Sequence, residues 1–289
     1  MDRLQSYAMF VSVADCGNFS QAARKLGVSP QALTRGIQAL ESHLGLRLFH
    51  RSTRAVSLTA QGAAVLPAVR RMLSDLADAE QLLRGAGGEP SGELHVTAPV
   101  MFGRLHVLPV VADLLARHDR LNVRLMLVDR NIRLIEEGID LAVRIGSLAD
   151  SALMAVRIGQ VRAVVVASPG YLVRRGAPQD QAGLADHDLI ASTGPRGARE
   201  WQGQGRRRLQ VNTVDSALAA AEGGLGLANL LSYQVADALA AGRLIEVMRP
   251  AAPAWLPVSL LFDGARANAP ATRAFIDAMR QRAGEVGFD

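Results

Sequence analysis

Four side chains at helical spacing, Gln31, Thr34, Arg35 and Gln38, make a hydrogen-bonding stripe that contains no carboxylate. Gln matches the donor–acceptor edge of adenine, Arg forks onto guanine, and Thr meets either a base edge or a thymine methyl. Downstream, Arg51-Ser52-Thr53-Arg54 brackets a short polar turn with two arginines, suited to phosphate oxygens or a minor groove. Ser20 and Gln21, and then Ser29 and Pro30, stand at two helix starts and complete the candidate DNA-contacting set. Taken singly, these residues also fit a helical hairpin with a solvated polar face. Their order and spacing favour DNA binding.

The elements that must position them are legible locally. A polar cap at Asn18 opens a short helix that ends on Gly27, a residue able to take the left-handed conformation. Ser29 is again a cap, Pro30 suits a first helical position, and Gly45 stops a second helix after Leu44. Leu33, Ile37, Leu40 and Leu44 form its apolar stripe. Two helices joined by a tight turn, the second with an uncharged-to-basic face, are the parts of a helix-turn-helix reader. Residues 46–51 and 55–59 partly alternate apolar and polar, as the strands of a wing would.

Residues 1–84 resemble the N-terminal region of the LysR-type transcriptional regulators. The matching stretches are Gly17-Asn18-Phe19-Ser20-Gln21-Ala22-Ala23, Leu26-Gly27-Val28-Ser29-Pro30-Gln31-Ala32, Thr34-Arg35-Gly36-Ile37, Leu40-Glu41, Leu44-Gly45, Leu48-Phe49, and Arg51-Ser52-Thr53-Arg54 with Leu58-Thr59. Two departures bear on base preference and helix stability. Leu33-Thr34 stands where a Val-Ser pair is commoner in the family. Gly36 lies mid-helix, where Gly costs about 1 kcal/mol relative to Ala.

At 289 residues the chain is long for one core, so two domains are expected. Up to Arg84 ten Arg/Lys face six Asp/Glu, whereas the remainder has twenty-two against twenty-one. A basic head on a near-neutral body fits a local nucleic-acid footprint. Lys25 is the sole lysine, a fact that base-composition bias explains as well as phosphate recognition does. No run reaches the length of a membrane span and the start lacks a signal peptide, so a cytoplasmic protein with no membrane partner is expected. The lone Cys16 excludes an intrachain disulfide and reads as a small buried thiol.

Residues 4–15 read as a first amphipathic helix supporting the reader. Thr59 can cap a long helix over 60–84 in which Leu66, Val69, Leu73, Leu76, Glu80 and Leu83 recur at three- and four-residue steps, with Pro67 as a kink or looser turn. Packing on its own chain would satisfy that stripe; the resemblance implies instead an antiparallel dimer, a tetramer as the usual assembly, and a pseudo-palindromic operator in double-stranded DNA, with RNA polymerase as a further partner. Residues 85–92, Gly-Ala-Gly-Gly-Glu-Pro-Ser-Gly, read as a hinge.

Beyond the hinge, strands alternate with helices. Strands are expected at 94–98, 123–128, 141–145, 161–167, 189–191, 227–230, 244–248 and 258–262, and helices at 105–117, 132–137, 216–222, 233–240 and 270–282. The resulting reading is an N-terminal winged helix-turn-helix (1–59), a mostly α head continued by the linker/dimerisation helix (60–84), the hinge, and a C-terminal α/β effector-binding domain (93–289). Lobe I comprises 93–161 and 266–289 and lobe II 162–265, joined near 160–164 and 262–267. The resemblance, looser here, implies a two-lobed fold like that of periplasmic solute-binding proteins. It rests on Thr97-Ala98-Pro99, Leu141-Ala142-Val143-Arg144-Ile145-Gly146, Ala167-Ser168-Pro169-Gly170-Tyr171-Leu172, Gly223-Gly224-Leu225-Gly226-Leu227-Ala228 and Leu239-Ala240-Ala241-Gly242-Arg243-Leu244.

Ligands of open α/β sheets bind beyond the carboxyl ends of strands, near helix N-termini. The candidate effector-binding residues are therefore Val100, Met101, Phe102, Asp129, Arg144 and Thr193. The amides after Pro99 are placed to hold a carboxylate, and Val100-Met101-Phe102, where relatives often carry Ser or Thr, points to a more apolar or aromatic effector, or to none. Arg144 fits an anion anchor or a structural partner of Glu136, Glu137 or Asp140. Asp215 and Ser216 read as caps of their own helix, and Arg206-Arg207-Arg208 as an exposed hairpin edge. No cofactor, metal cluster or catalytic constellation is expected: the six histidines lack paired spacing, and Gly224-Leu225-Gly226 lacks the third glycine and the strand-then-helix order of a dinucleotide loop. The alternative to an effector-controlled regulator is a cytoplasmic small-molecule binding protein whose head mediates interactions without gene control.

Overall fold

A computed structural model describes residues 2–51, 56–83, 88–130, 132–148, 152–192, 201, 205–249 and 254–288. They fall in two compact units, Met1–Gly88 with Arg133–Gly138, and Glu89–Ile132 with Ile139–Asp289.

In the first unit, local capping chemistry sets the helix ends. Asp2 accepts from the Leu4 amide and opens α1 (Arg3–Cys16), which Gly17 closes at φ 61°. Asn18 Oδ1 accepts from the Ser20 and Gln21 amides at 2.8 and 3.1 Å and opens α2 (Phe19–Lys25). Ser29 Oγ accepts from Ala32 at 3.1 Å and opens α3 (Pro30–Leu44), closed by Gly45 at φ 67°. The stripe of Leu33, Ile37 and Leu40 is buried with Met9, Phe10 and Val13. Phe10 and Phe19 meet Phe49 edge-on, at 5.5 and 5.8 Å between ring centres. Cys16 is half-buried at the end of α1 rather than fully enclosed.

The wing is antiparallel, β1 (Phe49–Arg51) on β2 (Val56–Leu58). Its entry depends on a buried carboxylate: Glu41 Oε1 accepts from the Leu48 and Phe49 amides at 2.8 and 3.3 Å. Thr59 donates its hydroxyl to the Arg47 carbonyl and accepts from the Gly62 amide, so it caps α4 (Ala60–Leu83) while tying it to the wing. The helix runs unbroken through Pro67. Leu66 and Val69 join the head's own core and Leu73 packs against it, whereas Met72 and Leu76 are exposed. Thus the first half of the linker stripe serves its own chain.

A Cβ on Gly62 would overlap the carbonyl oxygen of Leu48, which already accepts from the Thr59 amide at 3.0 Å. Gly62→Ala should therefore force backbone apart and destabilise the head by about 1–3 kcal/mol, the range for overpacking. A thermal melt of the full chain checks this; an unchanged head transition would refute so close a contact.

In the second unit the elements run β3 (Gly92–Ala98), α5 (Val100–Phe102), a π-turn (Gly103–Val107), α6 (Leu108–Arg117), β4 (Leu121–Leu127), α7 (Leu134–Glu137, grouped with the first unit), β5 (Leu141–Ile145), β6 (Met154–Ala167), α8 (Pro169–Arg175), a 3-10 turn (Ala182–Asp186), β7 (Asp188–Ser192), β8 (Arg206–Val211), α9 (Val214–Glu222), β9 (Leu227–Leu231), α10 (Ser232–Ala240), β10 (Ile245–Val247), β11 (Trp255–Phe262) and α11 (Pro270–Val286). Among the described residues nine strands make one sheet, ordered β4-β3-β5-β11-β6-β9-β7-β8, with β10 beside β6. The β3 pairings with β4 and β5 are parallel, as the strand–helix alternation requires. Strand β6 is longer than expected. It pairs antiparallel with β11 along its first part and with β9 over Ala163–Val166, so it carries the chain from one half of the sheet to the other.

Three sequence readings are corrected. Val258–Phe262 pairs with β5, so the return crossing lies before Val258 rather than at 262–267, and this strand belongs with the first half. Arg206–Arg208 is an exposed edge, but on a strand parallel to β7, not in a hairpin; Arg175, Arg206 and Arg208 lie within 3.5 Å of the buried Asp188 carboxylate. Finally, α9 is capped by Thr213, whose Oγ1 accepts from the Ser216 amide, while Asp215 pairs with Arg104.

Candidate functional site

On α3 the two stripes separate as their spacing requires. Gln31, Arg35 and Gln38 are exposed and Thr34 is half-buried, opposite the enclosed Leu33, Ile37 and Leu40. Ser20, Gln21, Ser29 and Pro30 are exposed at the starts of α2 and α3. Ser29 Oγ already holds the Ala32 amide, and Ser20 and Gln21 donate their amides to Asn18, so these backbones are fixed before any partner arrives. Arg51 ends β1, while Thr53 and Arg54 lie outside the described residues. The result is a rigid polar face, with amide and guanidinium donors and no carboxylate among the stripe residues, matched to base edges in a major groove.

In the second unit the carboxyl ends of β3, β5 and β9 converge on a narrow cleft lined by Pro99, Met101, Asp129, Ile145, Val214, Leu231, Tyr233 and Gln234. Its open space, about 10 Å³ for water centres, is room for about one water molecule. Of the expected effector residues, Met101 and Asp129 line it. Val100 is partly exposed, but its amide is taken: it donates to Asp129 Oδ1 at 3.0 Å. Phe102 is fully buried, with its ring 5.3 Å from Tyr233, 5.0 Å from Phe288 and 4.7 Å from His106. It belongs to the core, because the first helical turn directs alternate side chains to opposite sides of the backbone. Arg144 is buried and donates to the Ile132 carbonyl at 3.0 Å, while Asp140 takes Arg266 and the His95 amide. The arginine is thus held by the Ile132 backbone and is not among the residues that line the cleft. Thr193 lies outside the described residues.

Tyr233 and Gln234 were missed by sequence reasoning, although the junction of β9 with α10 obeys the same strand-to-helix rule that singled out Val100. Their geometry is tightly set. Gln234 Oε1 accepts from the Leu231 amide at 2.9 Å, which directs its Nε2 to the Tyr233 hydroxyl at 3.1 Å. Burial pushes the Tyr233 phenol well above its usual pKa, and the carboxylates of Asp129 and Asp215 push the same way against the Gln234 hydrogen bond. The phenol is therefore a neutral group. Behind it, burial and then the nearby Arg282 lower His106 to a pKa of about 4, so the imidazole is neutral too.

Comparison with known proteins matches these two units. Residues 4–63 match the family described as "Bacterial regulatory helix-turn-helix protein, lysR family", and residues 87–284 match the "LysR substrate binding domain". The chain is 33% identical to the HTH-type transcriptional regulator PtxR of Pseudomonas aeruginosa over 292 residues, 96% of this chain and 92% of that protein. The solved structure of CrgA, a LysR-type transcriptional regulator from Neisseria meningitidis, is similar with a TM-score of 0.62 and 27% identity, covering 97% of this chain and 99% of that one. A full-length OxyR of Pseudomonas aeruginosa shares the fold with a TM-score of 0.71 at 19% identity, over 96% and 97% of the two chains.

Proposed function

This chain belongs to the LysR family and is a DNA-binding transcriptional regulator with an effector-binding domain, and from that premise we propose how its residues divide the work. Gln31, Thr34, Arg35 and Gln38 read base edges in the major groove, with Ser20, Gln21, Ser29 and Pro30 beside them on the phosphate backbone. Arg51, Thr53 and Arg54 of the wing neutralise phosphates or enter the minor groove. The observation that carries this reading is the exposed polar stripe of α3 set opposite its buried apolar stripe.

The exposed Met72 and Leu76 extend the apolar stripe of α4 beyond the part buried in the head, and a second copy of the chain covers them. Such a dimer presents two readers to a pseudo-palindromic operator, tetramers form from dimers, and RNA polymerase is the downstream partner. A small molecule in the cleft between the halves of the sheet shifts the population between two arrangements by binding one more tightly. The protein works in the cytoplasm; among the described residues no helix is long and apolar enough to cross a membrane.

The test separates reading from positioning. Arg35→Ala should lose about 1–3 kcal/mol of operator discrimination with an unchanged melting temperature, measured by competition between operator and scrambled duplex. Arg54→Ala should weaken both duplexes alike and flatten the salt dependence by about one unit of slope. Undiminished discrimination in Arg35→Ala would remove α3 from the reading role.

A further inference from the structure

The cleft carries a charge opposite to the one a carboxylate effector needs. Among the described residues, Asp129 is the one charged side chain that lines it. The Val100 amide, at the start of the helical run that continues through the π-turn into α6, would be the natural seat for an incoming anion. That seat is filled by Asp129 Oδ1 at 3.0 Å. Among the described residues Asp129 Oδ2 accepts no hydrogen bond.

The neighbouring cations are engaged elsewhere. Arg144 donates to the Ile132 carbonyl, and Arg104 pairs with Asp215 at 3.2 Å. Tyr233 lines the same space and is buried, and the charges that bear on its phenol are the carboxylates of Asp129 and Asp215. Its hydroxyl accepts from Gln234 Nε2, and among the described residues the hydroxyl proton has no acceptor. The remaining walls, Pro99, Met101, Ile145, Val214 and Leu231, are apolar.

We propose that the cleft takes a small organic cation, an amine with an apolar body, whose ammonium meets the Asp129 carboxylate while its carbon skeleton lies against Met101, Ile145 and Tyr233. This rests on reading the cleft as the effector site and names the chemical class that site accepts. A carboxylate would have to expel Asp129 from Val100 and lie beside it in a water-poor space, where like charges repel most strongly. An ammonium gains a charge-assisted hydrogen bond, and the aromatic ring of Tyr233 adds attraction for a cation. Entry requires the cleft to open, since its present space admits about one water.

The experiment is calorimetric titration and thermal shift of the full chain with matched primary amines and carboxylates, from ethylamine and acetate to phenethylamine and 3-phenylpropanoate. The expected result is saturable binding and a raised melting temperature with the larger amines and none with the acids. Asp129→Asn, which retains a carbonyl oxygen for the Val100 amide, should bind the amine at least about tenfold more weakly with its ligand-free melting temperature held.

Binding of acids alone would overturn the cation and leave the effector cleft standing. Binding of neither series would overturn both readings. Amine affinity unaltered in Asp129→Asn would place the ligand elsewhere and overturn the proposal.

Discussion

Asp140→Ala is expected to destabilise the effector-binding unit by about 3–5 kcal/mol, the range for removing one partner of a buried ion pair. Asp140 and Arg266 face each other with side chains only 9% and 10% exposed, so alanine would take from a buried guanidinium the carboxylate that faces it. The same carboxylate holds the His95 amide at 2.8 Å, and the Asp140 amide returns a bond to the His95 carbonyl at 2.9 Å. One side chain thus ties the entry of β5 to β3 and to the turn before α11. Calorimetry of the full chain should show the transition of this unit falling while that of the head stays in place. Asp140→Asn should recover part of the loss through the His95 bond. The double variant Asp140→Leu with Arg266→Met should recover more, because it leaves no unpaired charge. A single-variant loss below about 0.5 kcal/mol, the level of ordinary surface changes, would show that the pair is solvated.

Phe102→Ala should cost a similar amount, about 3–5 kcal/mol, the range for emptying a buried phenylalanine site. The ring is fully enclosed, and His106, Tyr233 and Phe288 surround it at 4.7–5.3 Å, so their collapse into the void is restricted. Val100→Ala, two residues away and partly exposed, should stay within about 0.5 kcal/mol of the parent. The pair of variants separates two roles that are adjacent in sequence: a side chain that faces solvent and one that fills the core. A Phe102→Ala protein with an undisturbed melt would return Phe102 to the candidate effector set. An intact melt would also mean that the aromatic cluster behind Tyr233 contributes little to the shape of the cleft.

The head was readable because its determinants are local. Asn18, Ser29 and Thr59 each hold an amide two or three residues ahead, and Gly17 and Gly45 adopt the left-handed conformation that closes a helix. Spacing alone separates Leu33, Ile37 and Leu40 from Gln31, Arg35 and Gln38, because a helix places residues three and four apart on one face. Most of the strand–helix order beyond residue 92 was legible for the same reason, although α8 and β8 were not read, and residues 85–87 of the expected hinge lie outside the described residues. Pairing was not. That Val258–Phe262 lies between β5 and β6, and that Arg206–Val211 runs parallel to β7, are matters of register over long loops, which local pattern does not encode.

The cleft shows the division most sharply. Its strand-to-helix turns could be located from the order of elements, and the residue types there suggested an apolar ligand. Its charge could not be located so. The Asp129 carboxylate reaches the Val100 amide across 29 residues of sequence, and Arg144 turns away to the Ile132 carbonyl. A different register of the same strands would have set these partners at other distances. Residue types and periodicity therefore determined a helix-turn-helix head and an α/β body. Only the folded chain decided which polar groups in that body are already satisfied by one another, because hydrogen bonds between distant segments exist only once the sheet has set their distance.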